Sequence, residues 1–170
     1  MYWFSGLNDN IDNYKKLYRV AARSALLNTT LVPILIYDGT DTEFIANIEN
    51  DGVTVIHHAF SCVDTPTFKA RHPSWKKIAA GTYLRIDVPI ICEMMGITDP
   101  YVLYTDADVI FVADVVQDMS QMMPEYFAVC REANATDEQM NAGVLVLNRS
   151  KMLQTHSDFL AFIDANYNDQ

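Results

Sequence analysis

The stretch best able to do chemistry is YVLYTDADVIFV, Tyr101 to Val112, where an apolar run ends in Thr105 and two aspartates, Asp106 and Asp108, separated by Ala107. Alternate residues of an extended chain point to one side, which predicts both carboxylates on one face. Acids at the carboxyl end of a buried parallel strand face the crevice where open α/β sheets bind ligands. Their mutual repulsion calls for a cation. A hard ion with oxygen ligands, Mg²⁺ or Mn²⁺, suits them and keeps coordination positions for substrate phosphates. The alternative, an idle acidic surface turn, is disfavoured by the apolar residues on either side. No Ser-His-Asp or Cys-His nucleophile motif and no glycine-rich phosphate loop accompanies the pair. His57, His58, His72 and His156 read as strand-end, loop or helix-surface residues.

Such a pair needs a sheet to carry it, and the chain alternates strand-length apolar runs with helical periods, the pattern of a mostly parallel sheet flanked by helices. Strands are expected at Tyr2 to Ser5, Leu31 to Tyr37, Val53 to Ile56 and Tyr101 to Tyr104. A helix carries Tyr14, Leu17, Tyr18, Ala21, Ala22, Ala25 and Leu26 and ends near Asn28; a shorter one carries Phe44, Ile45 and Ile48. Ser61 to Ser74 reads as a loop. The helix that follows is weakened by Gly81 and is kinked or ended by Pro89.

The chain has 170 residues, of which 50% are hydrophobic and 20% charged. That is one ordinary domain, able to bury roughly 70% of its unfolded surface without disulfides or a structural metal. The net charge of −10 disfavours a partner held by a broad basic surface, such as nucleic acid or anionic lipid. No segment approaches the ~18 apolar residues of a membrane helix, and Met1 to Leu7 lacks the form of a signal peptide. Cys62, Cys92 and Cys130, widely spaced and odd in number, suit reduced thiols in a cytoplasmic compartment.

Three blocks in order then resemble the GT-A glycosyltransferases, closest to the glycogenin-like and lipopolysaccharide galactosyltransferase-like group that uses UDP-sugars with retention. They are TYLRIDVPII (Thr82 to Ile91), VLYTDADVIFV, and NAGVLVLNRSKM (Asn141 to Met152). The resemblance spans nearly the whole chain and implies an α/β GT-A (Rossmann-like) single domain. It makes Asp106 and Asp108 the ligands of Mn²⁺ or Mg²⁺ gripping the donor diphosphate, with Ala107 between them in the donor site. It makes Arg85 a fixed cation near the nucleotide sugar, and places Asn141, Ala142 and Gly143 beside the donor sugar. Ser5, Asn8 and Asn10, in FSGLNDN, correspond to residues that bind base and ribose. Asp169 and Gln170, in the closing YNDQ, correspond to an Asp-Gln element at the anomeric carbon. The family continues with an acceptor-binding portion and a histidine that completes the metal site, so the resemblance implies that the chain is truncated on its acceptor side.

The expected function is metal-dependent transfer of a hexose from a UDP-sugar to the hydroxyl of a saccharide or other acceptor. A non-catalytic nucleotide-sugar-binding or interaction domain of the same fold is the alternative. A haloacid-dehalogenase-like phosphatase fits less well: that family puts its DxD strand near the start of the chain and needs a later lysine and a second acidic pair.

Overall fold

A computed structural model describes residues 1–62, 64–65, 79–132 and 139–166. Its elements are β1 (Tyr2–Asn8), α1 (Asp12–Asn28), β2 (Val32–Asp38), α2 (Thr42–Asn50), β3 (Thr54–His57), α3 (Ala79–Tyr83), a 3₁₀ turn (Leu84–Asp87), α4 (Val88–Met94), β4 (Tyr101–Thr105), α5 (Val116–Ser120), β5 (Phe127–Arg131), β6 (Met140–Asn148) and α6 (Arg149–Asn166). The strands form one six-stranded sheet in the order β3-β2-β1-β4-β6-β5. The first four strands in that order pair in parallel; β6 runs antiparallel to β4, and β5 antiparallel to β6.

Both faces of the sheet are covered, which is why its strands read as near-continuous apolar runs. Alternate residues serve opposite cores. Phe4, Ile34, Ile36, Val102, Tyr104, Leu145 and Leu147 meet Leu84, Val88, Ile91 and Ile163 on one side. Trp3, Leu35, Tyr37, Leu103 and Val146 meet Tyr18, Ala21, Ala25, Phe44 and Ile48 on the other. The result is the expected α/β architecture.

Most expected elements recur within a few residues, and the differences are local. β1 continues past Ser5 to Asn8, and β5 had no counterpart among the expected strands. The helix around Gly81 and Pro89 is broken into α3, the 3₁₀ turn and α4, with Pro89 in the first turn of α4, where its missing N–H costs no helical bond. The expected start of that helix near Ser74 lies outside the described residues. His156 departs from the helix-surface reading. It is buried, and its Nε2 lies 2.9 Å from Oδ1 of the fully buried Asp87, a partner that periodicity on its own helix cannot reveal. Among the described residues no helix is long and apolar enough to cross a membrane.

Candidate functional site

The site begins where β4 stops. Thr105, 1% exposed, accepts at Oγ1 from Trp3 Nε1 (2.9 Å) and at its carbonyl from the Ser5 hydroxyl (2.6 Å), so β1 fixes the end of β4. Asp106 N–H then donates to the Gly143 carbonyl at 2.8 Å, one last link with β6. Beyond it the chain turns. Asp106 and Asp108 are therefore not alternate residues of one extended strand, as expected; the turn 106–108 brings both to one cleft, with Ala107 buried beneath them. The far side of the turn is held by α1, since Phe111 N–H donates to Ser24 Oγ (2.9 Å) and Asn28 Nδ2 donates to the Phe111 carbonyl (2.8 Å).

Arg85 joins the three sequence blocks. From the 3₁₀ turn its Nε donates to the Thr82 carbonyl (2.7 Å), Nη1 to the Ala142 carbonyl and Nη2 to Asp106 Oδ1 (2.9 Å), while the guanidinium lies 5.1 Å from the centre of the Tyr104 ring. This planar fork meets acceptors that one ammonium could not reach together. Burial pushes the Asp106 carboxyl above its usual range, Arg85 opposes that, and Asp108 adds to it. Burial likewise pushes the Tyr104 phenol up to about 12, with Arg85 opposing, so the hydroxyl stays protonated.

The third block is a bulge. Leu145 pairs with Val129 and Asn141 with Cys130, so residues 142–144 bow out of the β5–β6 ladder towards Asp106. Bulges re-aim a strand next to functional sites. Asn141 fixes this one: its Oδ1 accepts from Gly143 N–H (2.8 Å), and its Nδ2 donates to Glu132 Oε2 (2.7 Å). Glu132 escaped the sequence reading because β5, which it follows, did.

Two adjoining cavities result. One of about 180 Å³ is lined by Gly6, Asn8, Tyr14, Arg85, Asp106 and Asp108 among others. Another of about 590 Å³ shares Thr82, Arg85 and Asp106 with it and continues over Glu132, Asn141, Ala142 and Gly143 to apolar Phe127 and Met140. Asn8, Arg85, Asp106, Ala107, Asp108, Asn141, Ala142 and Gly143 thus gather around one cleft. Asn8 Nδ2 is buried and has no hydrogen-bond partner among the described residues. Ser5 and Asn10 are elsewhere: Ser5 is fully buried in its bond to Thr105, and Asn10 is exposed, its N–H bonded to Asn8 Oδ1 at 3.2 Å. Asp169 and Gln170 lie outside the described residues.

The donor set suits a hard divalent ion. Asp106 spends Oδ1 on Arg85, and its Oδ2 is approachable because residue 143 is glycine: a Cβ there would stand 3.3 Å from that oxygen. Among the described residues no three His, Cys, Asp or Glu form a ligand cluster; Asp106 and Asp108 would supply two oxygen ligands of the kind such ions take.

No family profile matches the chain, and no curated protein matches it in sequence. Solved structures do match in fold. The glycosyltransferase GlyE of Streptococcus pneumoniae is 18% identical with a TM-score of 0.66, over 99% of this chain and 39% of GlyE. The galactosyltransferase LgtC, in complex with donor and acceptor sugar analogues, is 18% identical with a TM-score of 0.66, over 100% of this chain and 67% of LgtC. The bifunctional glycosyltransferase WbbM is 14% identical with a TM-score of 0.71, over 96% of this chain and 34% of WbbM. The fold is that of the GT-A glycosyltransferases, and the chain spans between about a third and two thirds of these structures.

Proposed function

We propose that the chain binds a UDP-hexose with Mn²⁺ or Mg²⁺ and transfers the hexose to the hydroxyl of a saccharide or other acceptor with retention of anomeric configuration. The observation that carries this reading is the convergence of Arg85, the Asp106–Asp108 turn and the Asn141–Gly143 bulge on one cleft of a GT-A fold. In transfer, the bond from the anomeric carbon to the diphosphate oxygen breaks and its electron pair leaves with UDP. The acceptor oxygen bonds that carbon, and its proton passes to the departing diphosphate oxygen. A bound divalent ion would supply Lewis-acid neutralisation of the departing diphosphate. Asp106 and Asp108 would hold it. Arg85 orients Asp106 and adds a fixed positive charge at the cleft, Asn8 lines the part of it assigned to base or ribose, and Asn141 and Gly143 shape the wall beside the sugar. Asp169 and Gln170 are assigned to the anomeric centre by resemblance to the family. The unpaired thiols of Cys62, Cys92 and Cys130 suit a reducing compartment, and we place the protein in the cytoplasm.

Calorimetric titration with UDP tests the reading. Mn²⁺ is expected to tighten binding at least about tenfold, EDTA to reverse this, and Asp106→Asn or Asp108→Asn to abolish the metal effect. UDP binding that ignores metal, or no binding, would overturn it. Release of hexose from the bound donor then separates an enzyme from a binding domain.

A further inference from the structure

Asp87 stands at the position before α4 where an aspartate ordinarily accepts hydrogen bonds from the first amides of a helix, yet its side chain caps nothing. It is fully buried and turned the other way. Its Oδ2 accepts from Ser61 N–H (2.8 Å) and the Ser61 hydroxyl (2.9 Å) and faces His58 Nε2 (2.8 Å), while Oδ1 faces His156 Nε2 (2.9 Å). With the carboxylate as acceptor, both histidines must carry a proton on Nε2. Three stretches distant in sequence, the segment after β3, the 3₁₀ turn and α6, therefore meet on one carboxylate. An apolar side chain of similar volume would often stabilise a core as well. What the carboxylate adds is direction.

That direction bears on Arg85, two residues earlier on the same turn. A 3₁₀ segment has poorer hydrogen-bond geometry than an α-helix and sets its own orientation weakly. Here Leu84 and Val88 fix its depth in the core, Asp87 ties one side to His58, Ser61 and His156, and Arg85 reaches from the other side to Ala142 and Asp106. We propose that Asp87, with His58 and His156, is a positioning group that holds the Arg85 guanidinium against the Asp106–Asp108 turn. The ligand that would sense this rests on the UDP-sugar reading above; the positioning itself does not.

Two measurements on the full chain test it: hydrogen exchange of the Arg85 guanidinium Nη2–H by NMR, and the Kd for UDP with Mn²⁺. The wild-type Nη2–H, bonded to Asp106 Oδ1, is expected to exchange slowly. His156→Ala and the half-buried His58→Ala should each speed exchange and weaken UDP binding by roughly tenfold, the scale of lost outer hydrogen bonds at ligand sites. His156→Gln, which keeps an N–H at nearly the same point, should restore both. In an Arg85→Ala background the histidine changes should cost no further UDP affinity. Unchanged exchange in folded His156→Ala or His58→Ala, or the same UDP loss with and without Arg85, would overturn the proposal. If wild-type protein binds no UDP, the nucleotide reading fails while the exchange measurement still decides the positioning.

Discussion

At Gly143 a methyl group would stand 2.9 Å from Asn141 Oδ1 and 3.3 Å from Asp106 Oδ2. The Asn141 oxygen ends a flexible side chain and can give way, so Gly143→Ala should cost no more than about 1 kcal/mol of stability. Giving way breaks the bond from Gly143 N–H and crowds the one Asp106 oxygen that Arg85 leaves open. The expected outcome is a nearly unchanged melting temperature with a loss of at least about tenfold in the Mn²⁺-dependent gain in UDP affinity; a variant that keeps the full metal response would show that Oδ2 is not a ligand. At this scale the aspartates stood out because a pair of acids interrupts an apolar run, and Arg85 because its block resembles a known family's. Their geometry was not: the carboxylates meet through a turn rather than strand alternation, and the role of Ser5 in fixing Thr105 depends on a contact 100 residues away.

The elements that hold these residues meet backbone to backbone at one point. A Cβ on Gly6 of β1 would lie 2.8 Å from Leu84 Cβ and 2.9 Å from the Gly81 carbonyl oxygen, and neither can swing aside as a side-chain tip could. Gly6→Ala is therefore expected to cost about 1–3 kcal/mol, the range for overpacking a core, and to lower Tm by roughly 3–9 °C in thermal unfolding. Because the strain falls on the segment leading into Arg85, UDP affinity should fall as well; an unchanged Tm would mean that α3 sits against β1 more loosely than these contacts require. Strands β1, β2 and β4 were readable from their apolar runs since both faces are buried. β5 was missed although Tyr126 to Cys130 is an apolar run of five, and its residues are only half-buried or exposed. The bulge at 142–144 was equally hidden, for it appears only when the pairing partner is known.

Over the whole molecule, the net charge of −10 sets the problem of how an acidic protein would hold the proposed anionic nucleotide; a bridging ion and Arg85 would be its local answers. What no reading of one sequence could supply is the meeting of residues 58, 61, 87 and 156, since nothing in local pattern records which buried acid faces which histidine. That meeting has a thermodynamic signature. Burial raises the Asp87 pKa, but hydrogen bonds from His156, His58 and Ser61 override it and hold the carboxyl at about 2, against an ordinary 3.8. A folded-state pKa below the unfolded one stabilises the protein above the unfolded value, and this contribution is lost as pH falls towards the folded value. The difference corresponds to about 2 kcal/mol, at 1.36 kcal/mol per pH unit. Asp9, also held at about 2 against burial by Tyr37, Lys15 and Thr40, adds its own acid-labile stability but is common to wild type and variant. Urea unfolding of wild type and Asp87→Asn should therefore show a stability gap that narrows by about 2 kcal/mol between pH ~4 and ~2. A gap independent of pH across that range would mean that the buried carboxyl is not held below its ordinary pKa in the folded protein.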